Sequence, residues 1–319
     1  DTGSSEPPIR VFPGRTPWTP EDPMAFIGYP PLPEFQPGTP ETPVMVSVVF
    51  KWLRERGEAL ARAWGDYYRN VSVGGPAYDG GAGGEFTPGM FLKRGCTITS
   101  RGCTKECEWC CERNNELREL PIKPGWIVQD SNLLACSEKH IRAVFDMLRE
   151  QRRNIFFNGG LDKHFLKDWH RPLFDSIKIG ELWFACDKTS DLPWLERAAG
   201  ILDGIPLRKR RCYTMIGGGC PENDAESLRD AERRIERVLE VGFMPFCQLF
   251  QPDEGVKVYA EEWRKTRRKW SRPAAYMPRA SKRFQGRPKA PSQEEEHVDE
   301  MVRGVRVRRA KWGINKTSR

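Results

Sequence analysis

Three cysteines on one short run carry the most pointed chemistry in this chain: Cys103, Cys107 and Cys110, within Arg101-Gly102-Cys103-Thr104-Lys105-Glu106-Cys107-Glu108-Trp109-Cys110. The C-x3-C-x2-C spacing lets a tight loop bring three thiolates to three corners of a cubic four-iron cluster. The fourth iron is then left without a protein ligand. A cluster that only carries electrons ordinarily takes four cysteines, so a set of three implies an outside ligand. A zinc knuckle needs four ligands. No Cys or His follows at zinc-finger spacing, and Cys111, adjacent to Cys110, is poorly placed to close a tetrahedron. A disulfide framework belongs to small secreted chains rather than to 319 residues with irregular cysteine spacing.

The cysteine spacing, with the flanking Thr99-Ser100-Arg101-Gly102, resembles the signature of the radical S-adenosylmethionine (radical SAM) enzymes. The resemblance implies a [4Fe-4S] cluster on Cys103, Cys107 and Cys110 whose open iron chelates S-adenosyl-L-methionine. It also implies reductive cleavage of that cofactor to a 5′-deoxyadenosyl radical that abstracts a substrate hydrogen. A reductant such as flavodoxin or ferredoxin would supply the electron. The cofactor brings the radical chemistry and the protein brings positioning and exclusion of water.

The same resemblance assigns cofactor contacts. Trp109, before the third cysteine, stands where an aromatic residue usually touches the adenine; packing under the loop is the alternative. Asn158-Gly159-Gly160-Leu161-Asp162 is similar to the Gly-Gly-Glu motif that binds the methionyl amino group, although Leu161 stands where Glu is common. Gly-Gly alone marks any tight turn, but glycine also lets backbone approach a ligand closely. Asp187 and Lys188 stand where related enzymes contact the ribose or the carboxylate, and a helix cap is the alternative for Asp187. Ile216 can pack against adenine while Gly217 leaves room. Asp130-Ser131-Asn132 directs polar groups towards the same mouth, so Asp130 joins the candidates. Glu108 reads as a solvated charge, and His140, His164 and His170 as structural residues. The other cysteines lack the paired spacing of a second cluster. Cys186 or Cys220 would return a hydrogen atom to a product radical if it faced the mouth, but a small buried hydrophobe is the default.

These groups need elements to hold them. From Cys96 onward, apolar strands alternate with helical stretches. The strands are Cys96–Ser100, Trp126–Asp130, Asn154–Asn158, Glu181–Cys186, Arg211–Ile216 and Phe243–Phe250. The clearest helices are Glu138–Glu150, Leu192–Leu202 and Asp224–Glu240, with Phe165–Ile177 weaker. Such alternation predicts an α/β fold with a parallel sheet. Six units resemble the partial parallel (β/α)6 barrel of radical SAM cores, over residues 86–251. Its site would lie at the strands' carboxyl ends.

Residues 1–43 hold twelve of the twenty-six prolines and read as an irregular Pro-rich arm packed on the core through interleaved aromatics. Residues 44–85 read as one short β-α-β unit and a Gly-rich linker. The Val71-Ser72-Val73-Gly74-Gly75-Pro76-Ala77 ending resembles a truncated remnant of the cobalamin-binding half of one radical SAM subgroup. The unit is too short for that whole domain and no histidine precedes His140, so no cobalamin is expected.

Charge divides unevenly. Glu261 to Arg319 carries 18 Lys/Arg against 7 Asp/Glu, whereas the preceding 260 residues carry 34 against 37. Residues 252–319 thus form a basic extension, starting with a helix near Glu261–Trp270. It suits nucleic acid or another polyanion as well as it suits a plain solvated extension. No apolar run reaches membrane-spanning length, so no membrane partner is expected. Ten cysteines without an apolar leader predict a cytoplasmic, reducing setting. The tail tilts the expected substrate towards a nucleic acid or nucleotide. The alternatives are a peptide-modifying radical SAM enzyme and a non-enzymatic iron–sulfur protein that binds nucleic acid.

Overall fold

The computed structural model describes residues 7–79, 83–107, 110, 116–218, 227–252 and 257–277. The expectations for Glu108, Trp109, Cys111 and Cys220, and for the chain beyond 277, lie outside the described residues.

The amino-terminal stretch corrects the expectation of an irregular arm. It supplies β1 (Ile9–Phe12) and β2 (Ala25–Ile27), which join β3 (Val44–Ser47) and β4 (Val71–Gly74). All pair in parallel in the order β2-β1-β3-β4. Pro8 and Pro13 bracket β1 without interrupting it, because proline is tolerated where a strand begins and ends. Every residue of β1 is buried. Arg10 is buried on this strand too, and its guanidinium is satisfied by Gly89 O at 2.9 Å, Met90 O at 3.0 Å and Asp22. The helix α1 (Arg54–Gly65) lays Leu60 and Trp64 on Ile9, Val11, Val44 and Val46. The short α2 (Pro76–Asp79) follows β4. The unit is therefore a four-stranded layer with its own core, larger than the single β-α-β unit read at 44–85.

The second sheet is built from β5 (Cys96–Thr97), β8 (Ile127–Val128), β9 (Ile155–Phe157), β10 (Ile179–Ala185), β11 (Arg210–Ile216) and β12 (Met244–Leu249). Its order is β12-β11-β10-β9-β8-β5, parallel throughout. The predicted strand Cys96–Ser100 breaks after Thr97. The chain turns, and β6 (Ser100–Arg101) pairs antiparallel with β7 (Arg118–Glu119).

From β8 onward the connections carry helices: α3 (Glu138–Glu150), α4 (Arg171–Asp175), α5 (Leu192–Ile201) and α6 (Leu228–Val241). Ser137 caps α3 by accepting a hydrogen bond from His140 N at 3.2 Å. Ile141, Val144, Phe145 and Leu148 then fall on one buried face. Phe145 meets Phe157 and Phe174 with ring centroids 5.7 and 5.3 Å apart. Beyond β12, α7 (Glu261–Trp270) and α8 (Pro273–Tyr276) close the described chain. Trp270 is buried with Ile216, Ala231, Ile235 and Cys247, and Trp263 packs beside it. The apolar stripe of α7, with its two tryptophans seven residues apart, thus faces the sheet side. Among the described residues no helix is long and apolar enough to cross a membrane.

Candidate metal and cofactor site

Six parallel strands place six carboxyl ends on one edge, where open α/β sheets take ligands. The cysteine loop leaves this edge just after β6. The turn before it is pinned from below by Asp130, which is 1 % exposed. Asp130 accepts hydrogen bonds from Thr99 N at 2.6 Å, Thr99 Oγ1 at 2.5 Å and Ser100 Oγ at 3.0 Å. Burial pushes its carboxyl up, and these donors oppose the shift. Asp130 was expected to reach into the mouth. Its oxygens are instead committed to the strand that delivers the cysteines.

Cys103 is half-buried, and Cys107 and Cys110 are exposed. Cys110 N donates to Cys107 O at 3.1 Å, which tightens the loop. Cys103 Sγ accepts from Lys105 N at 3.4 Å and from Asn132 Nδ2 at 3.2 Å. Partial desolvation pushes the Cys107 thiol up, and then its neighbours Cys103, Asp162 and Asp187 do the same, with Lys163 opposing them. Two thiols lie beside two carboxylates, with Lys163 the opposing positive charge, and N–H groups already point at one sulfur. Both features suit a cationic metal centre. Among the described residues no three His, Cys, Asp or Glu side chains are gathered tightly enough to hold an ion as they stand.

Asn158, Gly159 and Gly160 follow β9, as predicted. Gly159 has a packing reason to be glycine: a Cβ there would lie 2.2 Å from Asp130 O. Gly160 adopts φ +111°, with open space where a side chain would project. Asn158 Oδ1 is buried without a partner among the described residues, so a donor is wanted there. Asp187 follows β10, and its Oδ1 accepts from Met215 N at 2.8 Å, tying two strand ends together. Burial pushes its carboxyl up, with the bond from Met215 opposing. Lys188 is exposed, and its backbone N donates to Asp191 Oδ2 at 3.3 Å.

Ile216 and Gly217 do not form the predicted adenine shelf. Ile216 turns away into the cluster beneath α6 and α7. The space beside Gly217 is filled by Tyr259, whose Cε1 would lie 2.3 Å from a Cβ placed there.

Four residues given no such role in the sequence reading complete the edge. Asp162 Oδ1 lies 2.7 Å from His164 Nδ1. Its Oδ2 lies 3.4 Å from Asn132 Nδ2. Lys163, a buried lysine, reaches Asp191 Oδ1 at 3.3 Å. The His164 ring meets Trp194 at a tilt of 46°, with centroids 4.9 Å apart. Arg234, buried on α6, donates to Cys186 O at 2.6 Å and Met215 O at 2.8 Å, bracing the ends of β10 and β11. The triplet Asp130-Ser131-Asn132 and the acid after Gly-Gly hinted at part of this set. Lys163 and Arg234 carried no local signal, because charge on a loop or helix ordinarily means exposure.

No family model matches the chain, and no match to a curated protein was found.

Proposed function

We propose that this chain is a radical SAM enzyme whose core is a partial (β/α)6 barrel. Each strand of the sheet lies beside its predecessor in the sheet, and because parallel crossovers are almost always right-handed, such an order favours helices on one face and closure towards a barrel. The observation that carries the reading is Cys103 Sγ receiving two N–H donors, Lys105 N and Asn132 Nδ2, on a C-x3-C-x2-C loop at the ligand edge of that sheet. Cys103, Cys107 and Cys110 would hold a [4Fe-4S] cluster. Such a cluster, when bound, supplies the electron that cleaves S-adenosyl-L-methionine to methionine and a 5′-deoxyadenosyl radical.

The chain's own residues have distinct tasks in this reading. Asp130 holds the entry to the cysteine loop, and Gly160 leaves backbone open beside the loop. Asn158 Oδ1 is an unspent acceptor for an ammonium donor. Lys163 offers positive charge at a mouth otherwise rich in carboxylates. The expected supplier of electrons is a flavodoxin or ferredoxin, and the expected setting is the cytoplasm. The basic extension favours a nucleic acid or nucleotide substrate over a peptide. The expectation of no cobalamin loses its stronger support, because the amino-terminal unit is larger than the sequence implied; the lack of a histidine before His140 is the weaker part that is left.

Anaerobic reconstitution with iron and sulfide, followed by dithionite and S-adenosyl-L-methionine, tests the reading. About four irons per chain and release of 5′-deoxyadenosine are expected. A Cys103→Ala/Cys107→Ala/Cys110→Ala protein that kept its cluster would refute it.

A further inference from the structure

We propose that Asn132 is a positioning residue that sets the reduction potential of the cluster bound through Cys103; this inference rests on the radical SAM reading above. The side chain of Asn132 is 2 % exposed. Its amide nitrogen is directed at two acceptors, Cys103 Sγ at 3.2 Å and Asp162 Oδ2 at 3.4 Å. Both partners of the amide, Cys103 Sγ and Asp162 Oδ2, lie on its nitrogen, whose two hydrogens can serve one acceptor each. The donor aimed at the sulfur is therefore not interchangeable with the acceptor.

Asp162 is itself held in place. Its Oδ1 meets His164 Nδ1 at 2.7 Å and accepts from His164 N at 2.9 Å. The path from Cys103 through Asn132 and Asp162 to His164 is a continuous run of hydrogen bonds, with each member oriented by the next. The arrangement also leaves Asn132 Oδ1 buried without a partner among the described residues. An orphaned buried acceptor is destabilising, and an apolar side chain of the same size would avoid that cost. Such a replacement would lose the amide donation to the sulfur and the longer one to Asp162 Oδ2.

An N–H donor stabilises a ligating sulfur most when the sulfur is richest in electrons, which is in the reduced cluster. Hydrogen bonds to the sulfurs are among the factors that set cluster potentials, and partners behind the ligands tune the metal. Donation from Asn132 should therefore raise the midpoint potential and make the cluster easier to reduce. The nearby charge of Asp162 acts in the opposite direction, so exchanging that residue alone would mix two effects. Asn132 separates them.

The test compares reconstituted wild type with Asn132→Leu and Asn132→Ser, by redox titration monitored by electron paramagnetic resonance. Leucine keeps the volume without a donor, and the serine hydroxyl is too short to reach the sulfur. Both variants should show a downward shift in midpoint potential at unchanged iron content. An unchanged or raised potential in either folded variant overturns the inference. A second measurement needs no variant. Electron–nuclear double resonance on wild type carrying 15N-labelled asparagine should show a nitrogen coupling to the reduced cluster, which is absent if the bond is not made. Wild type that assembles no cluster defeats the radical SAM reading together with this one. A normal cluster with unshifted variants defeats this one alone.

Discussion

Tyr259 closes over Gly217. The phenol oxygen lies 3.0 Å from Gly217 O and 2.7 Å from Phe250 O, so one proton is shared between the carbonyls at the ends of β11 and β12. Lys257 Nζ donates to the same Gly217 carbonyl at 2.6 Å. The segment after the last strand is therefore part of the sheet's carboxyl edge, and the basic extension is packed on the sheet as far as α8.

This contact sets the cost of filling Gly217. Its φ is +73°, and Ala in the left-handed region costs about 1–2 kcal/mol. Displacement of the Tyr259 ring adds to that. Gly217→Ala should be clearly destabilised in urea denaturation, whereas Tyr259→Phe should lose about 0.5–1.5 kcal/mol, the net worth of a hydrogen bond, because Lys257 still donates to Gly217 O. Burial pushes the Tyr259 phenol up to about 12, so this loss should stay constant between pH 6 and pH 9, in a window of about three units.

Alkylation should divide the cysteines by environment. Burial pushes Cys96 up to about 11 and Cys136 and Cys186 up to about 12, with Cys212 well above its ordinary value. A thiol at about 12 is roughly one part in ten thousand thiolate at pH 8, and only the thiolate reacts. Iodoacetamide on native metal-free protein should label Cys107 and Cys110 quickly and leave these four intact. Cluster assembly should protect Cys103, Cys107 and Cys110. Peptide mass spectrometry reads both outcomes, and labelling of the triad that ignores the cluster would contradict the assignment.

Asp187 gives a signed pH effect. Its folded value is raised by burial above the ordinary 3.8. The associated stability is complete below about pH 3.8 and is lost as pH rises through the folded value. Asp187→Asn keeps an oxygen for Met215 N but does not titrate. Relative to wild type, the metal-free variant should therefore gain stability from pH 4 to pH 7 in paired urea titrations. A constant difference would show that this carboxyl is not destabilised by burial.

The extension should separate into two roles. Trp270 is buried against Ile216 and Cys247, and Trp270→Ala should cost about 3–5 kcal/mol. Removing residues 280–319 should spare folding and 5′-deoxyadenosine release while weakening polyanion binding. That binding should fall steeply with salt, because counterion release drives it. Equal oligonucleotide affinity with and without these residues would count against a nucleic-acid role.

Hydroxocobalamin titration tests the remaining cofactor expectation. No stoichiometric change in the visible spectrum is the expected outcome, although the four-stranded amino-terminal unit weakens the argument from size and the missing histidine before His140 is not decisive by itself. Tight binding would move methyl transfer to the front of the candidate reactions.

Much of this protein was legible before any coordinates. The helix Glu138–Glu150 matches its predicted span because an N-cap serine and an apolar period coincide there. Glu261–Trp270 does so through its spaced tryptophans. The six parallel strands followed from β-α alternation, since local periodicity reports which faces are buried. What failed was context. Twelve prolines masked β1, whose four buried residues are too few to outweigh composition in a local reading, yet enough to pair once β3 lies beside them. Asp130, Ile216 and Gly217 were placed at the right edge and given the wrong direction. A strand end says where a residue sits, but its partner decides where the side chain goes: Thr99 and Ser100 claim Asp130, Trp270 claims Ile216, and Tyr259 fills the space at Gly217. The sequence alone determined the cysteine triad, the parallel α/β order and the charge split, which are properties of neighbours along the chain. Tertiary structure decided which polar groups reach the mouth, because contacts such as Asn132 to Cys103 join residues far apart in sequence that meet only where parallel strand ends converge.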